Sequence, residues 1–272
     1  MTRYNDKLKV TDHYDRVSPY YQQLWGAHIH HGYWISGEET KEQAQIQMIE
    51  HLAGAAGLEP HSKIVDVGCG LGGSSIYLAK NYVADATGIT ISPIQVEMAR
   101  KAAASEGVNA KFLLMDAEEM KFDDPFEVVW SIESISHYPH RERFFAAAAR
   151  CLKPGGTLAI TDWFKKEDLT QREYKKFMEP IEKSMLVVLE NMGDYDESLR
   201  SVGLQVTHAE ILNQHCSRTW DLCLDMLKKK ALWRLAAENG LEFVDFLRGF
   251  SAMRAGYKSG NFVYGLMVAK KI

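Results

Sequence analysis

The chain has 272 residues, of which 46% are hydrophobic and 25% charged, and its formal net charge is -4. That length supports one large α/β domain with a substantial core, or one domain carrying an inserted cap. The acidic balance leaves no basic face for nucleic acid or an anionic membrane, and the one dense basic run, Lys228-Lys229-Lys230, reads as a solvated helix face.

Residues 1–39 are rich in aromatics (Tyr14, Tyr20, Tyr21, Trp25, Tyr33, Trp34) and carry a histidine cluster, and they read as an N-terminal lid. From Thr40 the pattern is helical: Thr40 and Gln43 fit a capping box, Ala44, Met48, Leu52 and Ala56 recur at helical spacing, and Gly57 supplies a stop. Lys63–Val67 reads as a strand, followed by GCGLGG and a helix over 74–81; a second strand falls at Ala86–Thr90. Ser92-Pro93-Ile94-Gln95 opens the next helix, with Ser92 as N-cap and proline in the first position, and that helix ends before Gly107. Strands at Lys111–Met115 and Glu127–Ser131 follow, then a helix over Arg141–Leu152 stopped by Lys153-Pro154-Gly155-Gly156, and a strand at Leu158–Thr161. Residues 165–200 break the alternation and read as an inserted helical cap, after which 201–272 complete the core that began at 40–164, with strands at Val206–Leu212 and Phe262–Ala269 flanking helices near 217–250. Strands alternating with helices imply a doubly wound α/β sheet, here of seven mostly parallel strands.

Cys69, Cys151, Cys216 and Cys223 form no C-x-x-C pair and no zinc-spaced cluster, so no metal site is expected and reduced thiols in a cytoplasmic protein fit best. No apolar run reaches the roughly 18 residues of a membrane span, and the polar start MTRYNDKLKVTDHYD does not read as a signal peptide.

The sharpest chemistry lies in Val65-Asp66-Val67-Gly68-Cys69-Gly70-Leu71-Gly72-Gly73. Gly68, Gly70 and Gly73 satisfy G-x-G-x-x-G between a strand and a helix, where glycine lets the backbone turn and approach a ligand. Alone, the pattern serves a dinucleotide pyrophosphate or the carboxylate of an amino-acid-like cofactor. Asp66 would repel a pyrophosphate but suits a cationic amino group. The second strand ends at Thr90-Ile91-Ser92, without the acid that a typical NAD site places on the ribose. Asp116 and Ala117 follow the third strand, where a carboxylate and an amide can hold an adenine; Asp116 serves equally as a helix N-cap.

These stretches, with LWGAHIHHGYW (24–34), TGITISPIQVEMAR (87–100), DAEEM (116–120), VVWSIESISH (128–137), LKPGG (152–156) and GYKSGNFVYG (256–265), resemble class I S-adenosylmethionine-dependent methyltransferases, in particular those similar to tocopherol methyltransferases. The resemblance implies a Rossmann-like methyltransferase fold with S-adenosyl-L-methionine as cofactor. It implies Gly68 and Gly70 against the methionine moiety, with Asp66 near its amino group. Thr90, Ile91 and Gln95 would lie by the ribose, Asp116 and Ala117 by the adenine, and Ser131 would line the cofactor; Gln95 fits a capping role as well. The HIHHGYW segment would fold over the cofactor, with His30, His31 and Tyr33 as contacts to its carboxylate or to the acceptor. His137 and Glu133 are the candidate catalytic groups, each also readable as a structural residue.

The expected reaction is methyl transfer to a small hydrophobic, preferably aromatic, metabolite at carbon, nitrogen or oxygen, with no nucleic-acid partner, no integral membrane association and no indication of oligomeric state. An NAD-dependent oxidoreductase on the same glycine loop and an inactive cofactor-binding sensor are the alternatives. Lipid cyclopropanation also suits such a fold, though no basic membrane-facing run supports it.

Overall fold

In a computed structural model, which describes residues 5–272, the sheet is assembled from β1 (Lys63–Val67), β2 (Asp85–Thr90), β3 (Lys111–Leu114), β4 (Phe126–Ile132), β5 (Leu152–Lys165), β6 (Leu204–Ile211) and β7 (Phe262–Lys271). The strand order is β3-β2-β1-β4-β5-β7-β6. β1 to β5 run parallel, β7 is antiparallel to β5, and β6 is antiparallel to β7. After Lys63 at its start β1 is apolar apart from Asp66, and those four residues are buried, as a strand covered on both faces requires. From β1 the chain winds outward to β2 and β3, then returns to β4 and continues to β5. The winding direction therefore reverses between β1 and β4, and a crevice opens beyond their carboxyl ends.

Helices cover both faces. α2 (Lys41–Ala56) forms the Thr40–Gln43 capping box and ends at Gly57 with φ 61°. α3 (Gly73–Asn81) follows the glycine loop, and α4 (Pro93–Glu106) is capped by Ser92 and closed by Gly107. α5 (Arg141–Cys151) buries Phe144 and Phe145 completely, which stabilises the core by roughly 2–3 kcal/mol each. One face of the sheet packs through Val65, Val129, Ile160 and these phenylalanines; the other packs through Ile64, Leu52 and Trp130.

Most strands differ from the expected bounds by a residue or two; the early starts of β4 and β5 share one local reason. Lys153-Pro154-Gly155-Gly156 lies within β5: Phe126 pairs with Leu152, the register slips, and Val128 pairs with Thr157. Gly155, at φ 74°, takes the left-handed conformation that such a bulge demands.

The lid segment holds a long helix, α1 (Lys7–Leu24), capped by Asp6 and containing Pro19; its first four residues lie outside the described chain. Residues 165–200 divide between two locations. The π turn (Tyr174–Met178), preceded by the short α6 (Gln171–Glu173), and α7 (Glu179–Met185) pack on α11 (Lys230–Ser259), whereas α8 (Met192–Ser201) packs on β6 and α5. α10 (Arg218–Met226), after the short α9 (Asn213–Cys216), also packs on α11, which bends at Gly240. The roof over the crevice is thus drawn from three separated stretches: α1, α7 and α10–α11.

Candidate active site

The turn after β1 is built for close approach. Gly68 has φ 72°, and a Cβ there would lie 2.3 Å from the Ser134 Cβ; Gly70 has φ 53°, and a Cβ there would enter open space. Gly72 caps α3 without a side-chain oxygen on its first amides. Asp66 is buried at the end of β1, its Oδ2 accepting from Ser75 Oγ at 2.6 Å, and burial pushes its carboxyl up to about 6.

A cleft of about 760 Å³, counting the solvent at its mouth, runs along the ends of β1, β2 and β4. It brings together Gly68, Gly70, Thr90, Ile91, Gln95, Asp116, Ala117, Glu133 and His137 from the expected set. A recess of about 350 Å³ beside it holds Asp66 and His30 with Gly68, Gly70 and Ser74.

Residues with no sequence signal for this site complete it. Lys7, Val10 and Tyr14 of α1 form a wall of the cleft. Lys7 Nζ reaches Asp116 Oδ2 at 2.5 Å and also pairs with Glu118. Asp15 accepts from Ser92 Oγ, and Ser18 Oγ accepts from Gln95 Nε2 at 3.2 Å. Asn5 Nδ2 donates to the Tyr138 carbonyl at 2.9 Å. The α1 helix is therefore latched to the residues at the ends of β2 and β3. Asp116 also caps the short turn Ala117–Glu119, accepting from the Glu118 amide at 2.9 Å, so both of its expected roles are structurally available. Gln95 does not close a reciprocal capping box: its Oε1 accepts from Thr90 Oγ1 at 2.7 Å, while the Ser92 amide is taken by the same threonine.

His137 and Glu133 are both fully engaged. A carbonyl only accepts, so His137 Nδ1, 3.0 Å from the Leu186 oxygen, carries the proton, and Nε2 accepts from Tyr14 Oη at 3.0 Å. Burial pulls this imidazole down to about 4. Glu133 has φ 52°, a left-handed conformation rare outside glycine. Its carboxylate accepts from the His31 amide (2.6 Å), His31 Nδ1 (3.0 Å), Trp163 Nε1 (2.9 Å) and Tyr264 Oη (2.7 Å). Burial alone would raise its pKa, but these donors hold it below the ordinary carboxylate value. His31 Nε2 accepts from Trp220 Nε1 at 2.7 Å. His30 Nδ1 donates to the His31 carbonyl at 2.9 Å, which leaves a lone pair on its buried, unpartnered Nε2; that nitrogen suits an ammonium donor and not a carboxylate.

Two expected residues stand apart. Ser131 is buried behind the cleft, its hydroxyl 2.7 Å from that of Ser134. Tyr33 is sandwiched between His51 and His215, at 4.4 Å from each ring, and lines none of these cavities. Among the described residues no group of His, Cys, Asp and Glu is arranged to hold a metal, and no helix is long and apolar enough to cross a membrane.

A second cavity of about 670 Å³ adjoins the cleft under α10 and α11. Trp25, Trp163, Trp220, Phe246 and Phe250 dominate its wall. Tyr14, Ile29, Glu133 and His137 line both spaces and form the constriction between them.

Residues 2–255 match the family described as mycolic acid cyclopropane synthetase. The chain belongs to this family. It is 30% identical over 284 residues to a chloroplastic tocopherol O-methyltransferase of Arabidopsis thaliana, covering 96% of this chain and 81% of that one. It is 36% identical over 210 residues to a 2-methyl-6-phytyl-1,4-hydroquinone methyltransferase of Synechocystis, covering 72% and 64%. The fold superposes with a TM-score of 0.86 on a mycolic acid cyclopropane synthase complexed with SAH and CTAB, at 22% identity over 97% of this chain and 98% of that one. This family member is a class I S-adenosylmethionine-dependent methyltransferase for small molecules, and the oxidoreductase alternative falls with that assignment.

Proposed function

We propose that this family member methylates a hydrophobic, aromatic small molecule bound in the second cavity. The observation that carries the proposal is the constriction: one aromatic-walled space meets the cleft beyond the glycine loop across Tyr14, Ile29, Glu133 and His137. Two relatives are named for tocopherol and for a phytyl hydroquinone, which supports the same class of acceptor.

The cleft fits a sulfonium nucleoside carrying an amino acid. A Cβ at Gly70 would occupy the space that the amino-acid portion requires, and His30 Nε2 is a buried acceptor still lacking a donor. We assign Asp66 and His30 to the cofactor's ammonium group, the first amides of α3 to its carboxylate, Thr90, Ile91 and Gln95 to the ribose, and Asp116 and Ala117 to the adenine. Lys7 shares Asp116 and closes α1 over that end. When bound, the sulfonium supplies an activated methyl group. The protein's part is alignment and exclusion of water. His137 fixes Tyr14, and Glu133 fixes His31, Trp163 and Tyr264, so these two residues set the width of the constriction. Ser131 supports Ser134, and Tyr33 anchors the lid segment.

Incubation with methyl-labelled S-adenosylmethionine and a panel of hydroquinones, phenols, indoles and aliphatic amines tests the reading. Transfer to the aromatic members is expected. Transfer confined to the aliphatic amines, or to none of the panel, would count against it.

A further inference from the structure

His13 lies on the α1 face that roofs the second cavity. Its ring packs edge-on to Tyr14 (centroids 5.3 Å apart) and against Phe246 of α11 (5.0 Å). It is only partly buried, and neither ring nitrogen has a hydrogen-bond partner among the described residues.

The other titratable groups on this wall are committed or unsuited. His31 and His137 are bonded through both nitrogens, and Glu133 holds four donors. Tyr14 donates to His137. The buried free nitrogen of His30 is the one assigned above to the cofactor's ammonium group. Burial pushes the Tyr21 phenol and the Cys223 thiol up, so both stay protonated and neither can take a proton. Among the described residues only His13 presents an unoccupied basic nitrogen to whatever fills the cavity.

We propose that His13 touches the acceptor and takes its hydroxyl proton during methyl transfer; this rests on the aromatic-acceptor reading and names the acceptor as a hydroxylated ring. The acceptor oxygen forms its bond to the methyl carbon as the carbon–sulfur bond breaks and leaves its electron pair on sulfur. The hydroxyl proton passes to His13 and then to solvent. A strong base is unnecessary, because the hydroxyl becomes very acidic as the methyl arrives. The groups facing His13 are Asp12 and Arg16 of α1 and His137 beyond β4; burial, helped by His137 and Arg16, outweighs Asp12 and pulls the imidazole down to about 4, so it is neutral at pH 7.

The test uses the full chain saturated with S-adenosylhomocysteine and titrated calorimetrically with 2,3,5-trimethylhydroquinone and with its dimethyl ether. His13→Ala is expected to weaken hydroquinone binding about tenfold and leave the diether unchanged, as loss of one hydrogen bond predicts. With labelled S-adenosylmethionine, kcat on the hydroquinone should fall about 100-fold at unchanged KM for the cofactor, and added imidazole should restore part of it. His13→Gln keeps an acceptor atom and should recover binding without recovering turnover. Equal hydroquinone affinity and kcat in wild type and His13→Ala would overturn the proposal. So would loss of S-adenosylhomocysteine binding in both variants, which would make His13 part of the α1 latch. Failure of the wild type to bind the hydroquinone at all would sink the acceptor reading and this inference with it.

Discussion

Replacing Asp66 by Asn separates the proposed cofactor role of this carboxylate from its cost to the fold. Its folded pKa, about 6, lies above the value of an exposed aspartate, so the charged form is disfavoured in the native state. A raised carboxyl favours folding only while protonated, and that contribution is lost as pH rises through about 6. Asp162, held by the amides of Ser136 and Trp163, is raised in the same way. Thermal melts of the cofactor-free protein should therefore show stability falling between about pH 4 and about pH 6. Asp66→Asn should flatten that slope and raise Tm at pH 7, a gain on the order of 2 kcal/mol, while weakening cofactor binding at least tenfold. An unchanged calorimetric affinity would remove Asp66 from the site.

Glu133 runs the other way. Its folded value is lowered, so its contribution is present above the ordinary carboxylate range and is lost as pH falls through the lowered value. Glu133→Gln puts an amide N–H among four donors, so it should cost about 3 kcal/mol, lower Tm and remove that acid-side dependence. Retention of full stability would show that the carboxylate is not the anchor of this cluster. The family resemblance marked Glu133 and His137 as the candidate catalytic groups. It could not show that their hydrogen-bonding capacity is spent, because the partners lie up to 131 positions away.

At the scale of elements, α1 is the piece whose position matters most and whose origin was least visible. The segment reads as an aromatic lid, but Pro19 and the density of rings hide its helical period. Only in three dimensions does Lys7 reach Asp116 and Glu118, and Ser18 reach Gln95. Lys7→Met should loosen the helix without touching the glycine loop. Amides of residues 7–24 should exchange faster with deuterium, and the cofactor should dissociate several-fold faster in stopped-flow measurements. Unchanged exchange would mean that packing of Val10 and Val17 holds α1 by itself. α2, α3, α4 and β1 to β3, by contrast, are legible to within a residue or so. Their caps, glycine stops and apolar runs are local features, set by residues within a few positions of one another.

At the scale of the molecule, the roof over the crevice comes from α1, α7 and α10–α11, while α8 joins the core. All four cysteines are buried and free, and burial raises the thiols of Cys69, Cys151, Cys216 and Cys223. A thiol reagent should label the native protein slowly, with four thiols reacting per chain only on unfolding. Fast labelling at Cys216 or Cys223 alone would show that the α9–α10 cover opens while the sheet stays closed.

By itself, the sequence determined the winding of the sheet, the glycine turn and the acids at the ends of β1 and β3. Hydrophobic period, capping residues and the conformational freedom of glycine act over a few residues, and chain order with right-handed crossovers does the rest. The tertiary structure decided which polar groups are spent and which are free. His137, Glu133 and Ser131 are occupied, Tyr33 is stacked elsewhere, and His13 is left facing the aromatic cavity. A hydrogen bond between distant residues depends on where the whole fold brings their atoms, and no local pattern encodes that.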